Sequence, residues 1–285
     1  MEIITWNIQV ALGVDGRVDV SRIANTIKDI GASDVICLQE VTRQSKLSKS
    51  GSKKPGSNIE FYGLADELAE QFPDYEMFYV AAVDRPDAEG RYYFGNMILS
   101  KVPVDFMFSH KLPQPPDPTT RTMPRQALEL FVRFDDTPLR IVTTHLEFFA
   151  TGQRKAQLEY LIRYQKECCE RHSKPSPSGT GSYVSPPETD RTIVCGDFNM
   201  EVGTDHHTYF TSQDSGFVDA WSSMHQGKPH PPTCGIYDLE QWPDGEHCRD
   251  FFFLSPSMTP FAAELTVNTE TQASDHQPMK LKITT

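Results

Sequence analysis

The sequence has no long hydrophobic run. Of its 285 residues 38% are hydrophobic, and no apolar stretch approaches the roughly 18 residues that a membrane-spanning helix needs. The N-terminal stretch MEIITWNIQ also lacks the basic region, apolar region and cleavage site of a secretory signal. We therefore expect a soluble, cytoplasmic protein without a transmembrane segment.

An excess of positive charge is missing as well. The 27 lysines and arginines are outnumbered by 39 aspartates and glutamates, which gives a net charge of −12. This balance disfavours a general polyanion-binding surface of the kind that drives nonspecific DNA affinity. It does not exclude a nuclease, because carboxylates collected to hold divalent cations would contribute to the acidic total.

The six cysteines form no pattern typical of a disulfide framework. Cys37 and Cys195 lie in apolar strand-like runs and are expected to be reduced core residues. Cys234 and Cys248 flank a loop and could pair in an oxidising compartment. Together with His247 they could suggest zinc, but their spacing fits no familiar zinc site.

Apolar runs of strand length, rich in Ile, Val and Phe, recur along the chain. They span residues 2–8, 34–39, 75–83, 92–99, 126–134, 139–145, 191–196, 249–254, 261–267 and 278–283. Helical periodicity lies between some of them, over 20–30, 64–68 and 156–164. This alternation favours either two sheets covered by helices or one sheet with helices on one side.

Three stretches rich in Pro, Gly and Ser, over 48–58, 112–124 and 173–190, are predicted to be surface loops. The last has the composition of a domain linker. We interpret it as an insertion, because the strand that follows continues the same set of elements. We thus expect a single domain over 1–285, monomeric by default, with loop insertions at about 43–58 and 173–190.

Polar residues follow or begin several of these strands. They are Asn7, Glu40, His145, Asp197 with Asn199, Asp250, and Asp275 with His276. Each alone is typical of a turn, a cap or a hydrogen-bonded side chain. Their joint occurrence instead indicates a functional site, because loops at equivalent ends of packed strands bring side chains from distant parts of the sequence together.

These residue types suit hydrolysis of a phosphoester with a hard divalent cation. Carboxylate and amide oxygens, without a Cys–His tetrad, favour Mg²⁺ or Mn²⁺ over zinc. The metal would polarise a phosphoryl oxygen, and a carboxylate would take the proton of an attacking water. Histidines beside an anionic centre can donate to phosphate oxygens as charge develops.

The ordered motifs WN, LQE, THLE, GDFN, RD and SDHQP resemble those of the endonuclease/exonuclease/phosphatase superfamily over nearly the whole chain, from Asn7 to Pro278. The phrases GNMILSKVPV, PRQALEL and GQRKAQLEYL are most similar to its bacterial metal-dependent hydrolases. The resemblance implies a four-layer α/β/β/α sandwich with two mixed, mainly antiparallel sheets. It departs at DFFFL, where the family usually has Asp-Tyr, and at the long acidic stretch before it.

The resemblance also implies roles at matching positions. Glu40 would be the principal ligand of Mg²⁺, for which Mn²⁺ could substitute, with Asn7 beside it and Asp275 on the same side. Asp197 would orient or deprotonate the attacking water, and Asn199 would contact the scissile phosphate.

The remaining roles concern the phosphoryl group. His276, held by Asp250, would stabilise or protonate the transition state, and His145 would supply a second phosphate contact. Asn96 in FGNMILS and Arg125 in MPRQAL are further candidate phosphate contacts.

The substrate is less defined, since the resemblance extends to enzymes of DNA, RNA, phosphoinositides, sphingomyelin and nucleotide cofactors. Five basic residues and no acidic one lie between Arg43 and Lys54. They form either a solvated loop or one that tracks a nucleic-acid backbone. Phe148 and Phe149 are typical of core packing, whereas Trp242 is the better candidate for a substrate contact. No hydrophobic membrane-docking hairpin is apparent, which disfavours a lipid.

Three hypotheses follow. The first is a Mg²⁺-dependent phosphodiester hydrolase, with nucleic acid favoured as substrate. The second is a phosphatase or phosphodiesterase of a small soluble or lipid head-group phosphoester, which a deep closed pocket would favour. The third is an inactive binding scaffold. It predicts loss of at least one catalytic residue, but the chain retains them all.

Overall fold

The computed structural model describes residues 1–44, 52–53, 60–61, 63–87 and 90–285. Within these ranges the strands are β1 (Glu2–Asn7), β2 (Val35–Gln44), β3 (Ser52–Lys53), β4 (Glu60–Phe61), β5 (Glu76–Asp87), β6 (Gly90–Ser100), β7 (Val104–Lys111), β8 (Gln126–Phe134), β9 (Thr137–His145), β10 (Thr192–Asp197), β11 (Val218–Asp219), β12 (Asp250–Leu254), β13 (Ala262–Val267) and β14 (Met279–Ile283). The α-helices are α1 (Val20–Ile30), α2 (Leu64–Gln71), α3 (Thr151–Ser173), α4 (Asp205–Phe210) and α5 (Ala220–Met224). Short 3₁₀ helices span Gln9–Ala11, Gly181–Tyr183 and Pro256–Phe261.

Two six-stranded sheets carry the fold. Their strand orders are β13-β14-β1-β2-β6-β5 and β11-β12-β10-β9-β8-β7. In each sheet the two central strands are parallel, β1 with β2 and β9 with β10, while the outer pairings are antiparallel. Because the central strands are parallel, their carboxyl ends meet at one edge of each sheet.

Both faces of the central strands are buried, which explains their nearly continuous apolar sequences. In β1, Ile3 packs into the core between the two sheets, whereas Ile4 faces the cluster formed with α1 and α2. In β10, Ile193 faces the inter-sheet core and Val194 faces the cluster formed with α3. The predicted α/β/β/α sandwich with mixed, mainly antiparallel sheets is therefore confirmed.

Helix α1 shows how local sequence sets an element's limits. The carboxylate of Asp19 accepts a hydrogen bond from the backbone N–H of Arg22 and caps the helix N-terminus. Gly31, at φ 100°, ends the helix in a conformation that side chains disfavour. Between them Ile23 and Ile27, one turn apart, bury one face against the sheet.

All ten strands expected from apolar runs are present. Strand β7 was not predicted, because it is a half-exposed edge strand without a continuous apolar run, with Met107 and Phe108 on the surface.

Other expectations from the sequence have separate outcomes. Cys234 and Cys248 are both free thiols, so they form no disulfide. None of the described helices combines the length and apolar character needed to cross a bilayer. The single-domain extent over 1–285 stays a prediction, and most of the basic loop lies outside the described residues.

Candidate functional site

A cavity of about 370 Å³ opens where the central strands of both sheets end. It is lined by six of the predicted site residues with carboxylate, imidazole or amide side chains, namely Glu40, His145, Asp197, Asn199, Asp275 and His276. Strand register explains part of this gathering. Asp197 pairs with His145 across the parallel β9–β10 contact and with Asp250 across the antiparallel β10–β12 contact.

Glu40 enters the cavity from a β-bulge. Leu38 pairs with Met97 and Val41 pairs with Gly95, so that two residues of β2 oppose one residue of β6. Glu40 takes a left-handed backbone conformation at φ 58°, and this re-aims its side chain out of the sheet. Burial, together with the nearby carboxylate of Asp275, raises the pKa of Glu40 to about 7.

Asn7 connects the two sheets at the cavity floor. Its Nδ2 donates to Oε1 of Glu40 at 3.1 Å and to Oδ2 of Asp197 at 3.0 Å. Its Oδ1 accepts the backbone N–H of Gln9 at 3.1 Å. Asn7 therefore fixes the relative position of the two carboxylates while lying behind the cavity surface.

The GDFN motif forms a tight connection after β10. Gly196 has φ 133°, and a Cβ atom there would lie 2.0 Å from the carbonyl oxygen of Thr144, so only glycine fits. The backbone N–H of Asn199 donates to Oδ1 of Asp197 at 2.9 Å, and Nδ2 of Asn199 donates to the Leu146 carbonyl at 3.0 Å. The motif thus sends Asp197 and Asn199 into the same cavity.

The electrostatic environment keeps Asp197 ionised. Burial alone would raise the pKa of this carboxyl. In the acid range where Asp197 titrates, the charge of His145, the charge of His276 and the N–H donors outweigh burial and hold the pKa below its ordinary value. Oδ2 of Asp197 lies 3.4 Å from Nε2 of His145 and 3.8 Å from Nε2 of His276. An anionic carboxylate between two imidazoles can accept a proton from water.

The two histidines differ in charge. Nδ1 of His276 lies 2.7 Å from Oδ2 of Asp250, and although burial opposes it, this carboxylate with Asp275 and Asp197 raises the pKa of His276 well above its usual value. Burial and the charge of Arg125 instead lower the pKa of His145 to about 3. His276 is therefore a cation at neutral pH and His145 is neutral.

Two buried polar atoms on the cavity lining have no hydrogen-bond partner among the described residues. They are Nδ1 of His145 and Nη1 of Arg125. Nε of Arg125 donates to Oε2 of Glu147 at 3.3 Å, and this bond does not involve Nη1. Leaving such groups unpaired is costly, so they point to a ligand with complementary oxygens or hydrogens.

Of the two remaining predicted substrate contacts, Trp242 lies on the cavity wall and Asn96 lies in the protein interior. Nε1 of Trp242 donates to Oδ2 of Asp275 at 3.3 Å, and its ring lies 5.8 Å from that of Phe148 on the cavity wall. Asn96 does not line the cavity. Its Nδ2 donates to the carbonyl of Gln126 at 3.3 Å and so bridges the two sheets behind the site.

Backbone strain is concentrated around the cavity. Of the seven described non-glycine residues with positive φ, five lie at or beside this site: Gln9, Val10 and Ala11 in the 3₁₀ helix after β1, Glu40 in the β2 bulge, and Asn199 in the loop after β10. Each such conformation costs on the order of 1–3 kcal/mol and persists only where the surrounding structure imposes it. This clustering is independent support for a functional cavity.

Two buried residues at this site, Glu147 and Arg154, were not predicted from the sequence. Glu147, in the THLE motif, holds Arg125 and also accepts the backbone N–H of Phe149 at 3.0 Å. Arg154 donates to backbone carbonyls of the two loops that flank the cavity. Glu147 lies in the motif THLE and Arg154 in GQRKAQLEYL. The position of Arg154 in the first turn of a predicted helix, where the helix dipole disfavours a cation, could have indicated a special role.

A second group of close metal-binding side chains, His207, Asp219 and His230, lies away from the cavity lining. The Nε2 atoms of the histidines lie 3.0 and 2.7 Å from Oδ2 of Asp219. Nδ1 of His207 accepts the N–H of Gly203, which places the imidazole proton on Nε2. Hydrogen bonds thus account for this cluster.

Comparison with known proteins agrees with the fold and the motifs. A family model described as Endonuclease/Exonuclease/phosphatase family matches residues 4–276. No curated protein sequence matches significantly. An endonuclease/exonuclease/phosphatase from Beutenbergia cavernae superposes with a TM-score of 0.66 at 22% identity, covering 99% of this chain and 71% of that one.

Two further similar structures carry more specific names. D. rerio TDP2 in complex with single-strand DNA product has a TM-score of 0.65 at 19% identity, covering 100% of this chain and 99% of that one. A mannosyl-6-phosphatase of Bacteroides thetaiotaomicron has a TM-score of 0.67 at 15% identity, with 100% of both chains covered. At identities of 15–22% these structures show a shared fold alone. The family itself is shown by the family model, which matches residues 4–276.

Proposed function

We propose that this chain, which belongs to the endonuclease/exonuclease/phosphatase family, is a Mg²⁺-dependent phosphodiester hydrolase, with DNA or RNA as the favoured substrate. The observation that carries the proposal is the arrangement of charges around Asp197. The carboxylate lies between neutral His145 and cationic His276, beside two carboxyls, Glu40 and Asp275, whose pKa values burial raises despite the charge of His276.

The donor set fits a hard divalent cation. The pKa values of Glu40 and Asp275 are both raised, first by burial, which means that their ionised forms are destabilised unless a cation joins them. Carboxylate and amide oxygens are the ligands that Mg²⁺ prefers, and Mn²⁺ accepts the same set. Glu40, Asp275 and Asn7 would hold the ion, which when bound polarises a phosphoryl oxygen.

The protein's own groups provide the proton transfers. Asp197, fixed by N–H donors from Asn7 and Asn199, accepts a proton from the water that attacks phosphorus. His276, charged and oriented by Asp250, hydrogen-bonds from Nε2 to an oxygen of the phosphoryl group as negative charge accumulates, and its proton passes to the leaving oxygen as the P–O bond breaks.

Other side chains of the cavity would bind the substrate before it reacts. Nη1 of Arg125 is free to donate to a nonbridging phosphate oxygen. Asn199 lies on the same lining. Trp242 also reaches it, but the residue is 4% exposed and the Arg249 guanidinium lies 4.8 Å from the centre of its ring, so Trp242 offers little free ring face for stacking. Asn96, behind the cavity, would act through the position of Gln126 and so remains the weakest of the predicted contacts.

A second candidate is a small phosphoester. The cavity volume of about 370 Å³ lies at the lower end of small-molecule pockets. The acidic net charge of −12 also disfavours long stretches of polyanion. A fold shared with both TDP2 and a mannosyl-6-phosphatase is compatible with either substrate.

The deciding experiment is Mg²⁺-dependent hydrolysis of labelled single-stranded, duplex and abasic-site nucleic acids. An aryl phosphodiester and a sugar phosphate serve as small substrates, with an Asp197→Ala variant purified in parallel. Nucleic-acid cleavage that is absent from the variant supports the nuclease. Activity on the small substrates alone selects the second candidate, and no activity on any of them contradicts the proposed reaction.

A further inference from the structure

Arg154 joins the two loops that carry the catalytic side chains. Its side chain is buried in the first turn of α3. Nη1 donates to the carbonyl oxygens of Glu147 at 3.2 Å, Phe148 at 3.3 Å and Asn199. The first two carbonyls belong to the loop after β9 and the third to the loop after β10. One guanidinium thus spans both loops, and its Nε donates to Nδ1 of His206 at 3.2 Å.

This placement is energetically unfavourable for the helix and for the charge. A cation in the first turn opposes the helix dipole, and the first turn of α3 contains no acidic residue. Burial, together with the charge of Arg249, lowers the pKa of Arg154. Among the described residues its hydrogen-bond partners are carbonyls and a histidine, and none is a carboxylate. The carboxylates of Asp197 and Glu147 offset the burial of this charge only through space, so the hydrogen bonds of the guanidinium are all spent on the two loops and on His206.

The carbonyl of Asn199 is the informative partner. Asn199 has φ 49°, so its peptide orientation needs external support. The same residue donates its backbone N–H to Asp197 and its Nδ2 to Leu146. A bond from Arg154 to the carbonyl therefore fixes a residue that orients the carboxylate accepting the water proton.

We infer that Arg154 is a positioning residue that holds the loops after β9 and β10 at the separation required for phosphoester hydrolysis. The inference rests on the proposed function. The guanidinium acts on the amide of Asn199 and on the carboxylate of Asp197 through the backbone, its charge also reaches Asp197 through space, and Arg154 is not among the residues that line the cavity.

The test compares Arg154→Ala and Arg154→Lys with Lys155→Met, which removes an exposed cation from the same helical turn. Steady-state kinetics use an aryl phosphodiester with Mg²⁺, and thermal melting reports the fold. In Arg154→Ala we expect kcat to fall about 10²-fold, the effect of roughly 1 Å of misplacement, with KM changed less than threefold. Arg154→Lys should lose about tenfold, because an ammonium has enough N–H groups for the three carbonyls but lacks the planar guanidinium that also donates to His206.

Added guanidinium ion at millimolar concentration should restore part of the activity of Arg154→Ala, an effect that a purely structural role would not produce. Lys155→Met should retain wild-type kcat within twofold. If Arg154→Ala does not fold, Arg154→Lys decides. The inference is overturned if the folded Arg154 variants retain kcat within threefold, or if Lys155→Met loses as much. A wild-type protein that hydrolyses no phosphoester would refute the proposed function instead.

Discussion

Oδ2 of Asp250 lies 2.7 Å from Nδ1 of His276, and both side chains are buried. Asp250 is the first residue of β12, and His276 lies in the loop just before β14. The partner carboxylate keeps the imidazole charged and turns Nε2 towards Asp197. The charge and the orientation of His276 therefore depend on Asp250 as one unit.

The first prediction concerns this pair. Asp250→Asn keeps the shape but removes the anion, so the pKa of His276 should fall. Because the proposed reaction needs the protonated imidazole, activity in the variant should be lost at a lower pH than in the wild type, with kcat reduced about 10²–10³-fold at neutral pH. The pH profile of kcat measures both effects, and an unchanged alkaline limb would contradict the role of Asp250.

The second prediction concerns Glu40 and the sign of its pKa shift. A carboxyl whose folded pKa is raised to about 7 destabilises the metal-free fold as pH rises from its unfolded value, near 4.5, through 7. Glu40→Gln should therefore raise the melting temperature of the metal-free protein at pH 8 and have little effect at pH 4.

Mg²⁺ supplies the control for Glu40. The ion should raise the melting temperature of the wild type, because it binds the folded state, and raise that of Glu40→Gln much less. Thermal melts in EDTA and in Mg²⁺, at both pH values, check this. Equal stabilisation of the two proteins by Mg²⁺ would remove Glu40 from the set of metal ligands.

The third prediction tests the backbone of the GDFN motif. In Gly196→Ala the new Cβ would lie 2.0 Å from a backbone oxygen at φ 133°, so we expect a loss of at least about 2 kcal/mol of unfolding free energy. Gly152→Ala is the matched control, since nothing lies within 4 Å of its Cβ and it sits in α3. Alanine there should stabilise by up to about 1 kcal/mol. Urea denaturation measures both.

The fourth prediction concerns Asp219, which caps α5 and accepts hydrogen bonds from His207 and His230. These bonds outweigh burial and lower the pKa of Asp219, so its stabilisation is present above the unfolded pKa, near 3.8, and is lost as pH falls through the lower folded value. Asp219→Ala should cost about 1–3 kcal/mol at pH 7.

The difference between Asp219→Ala and wild type should shrink in acid, below about pH 4. Asp214→Ala, at an exposed position five residues earlier, should leave the melting temperature unchanged. Neither substitution should alter kcat. Loss of hydrolysis in a folded Asp219→Ala protein would contradict the separation of this cluster from the catalytic cavity.

The sequence allowed most of the strands to be predicted, and most of the site residues that it indicated lie together at one cavity, while their roles stay a prediction. Buried strands have continuous apolar runs, which explains why β1, β2 and β10 were found and why the half-exposed β7 was not. The motifs indicated Asp197 and His276 because their residue types suit phosphoester chemistry. The bulge at Glu40 depends on its pairing with β6, and no local pattern predicts that register.

What the sequence by itself determined is the layered α/β fold and the set of side chains available for chemistry, since both depend on periodicity and residue type. Only the tertiary structure decided that His276 is charged while His145 is neutral, and that Arg154 holds both site loops. The physical reason is that charge state and orientation depend on burial and on partners such as Asp250, which are brought together from distant segments of the chain.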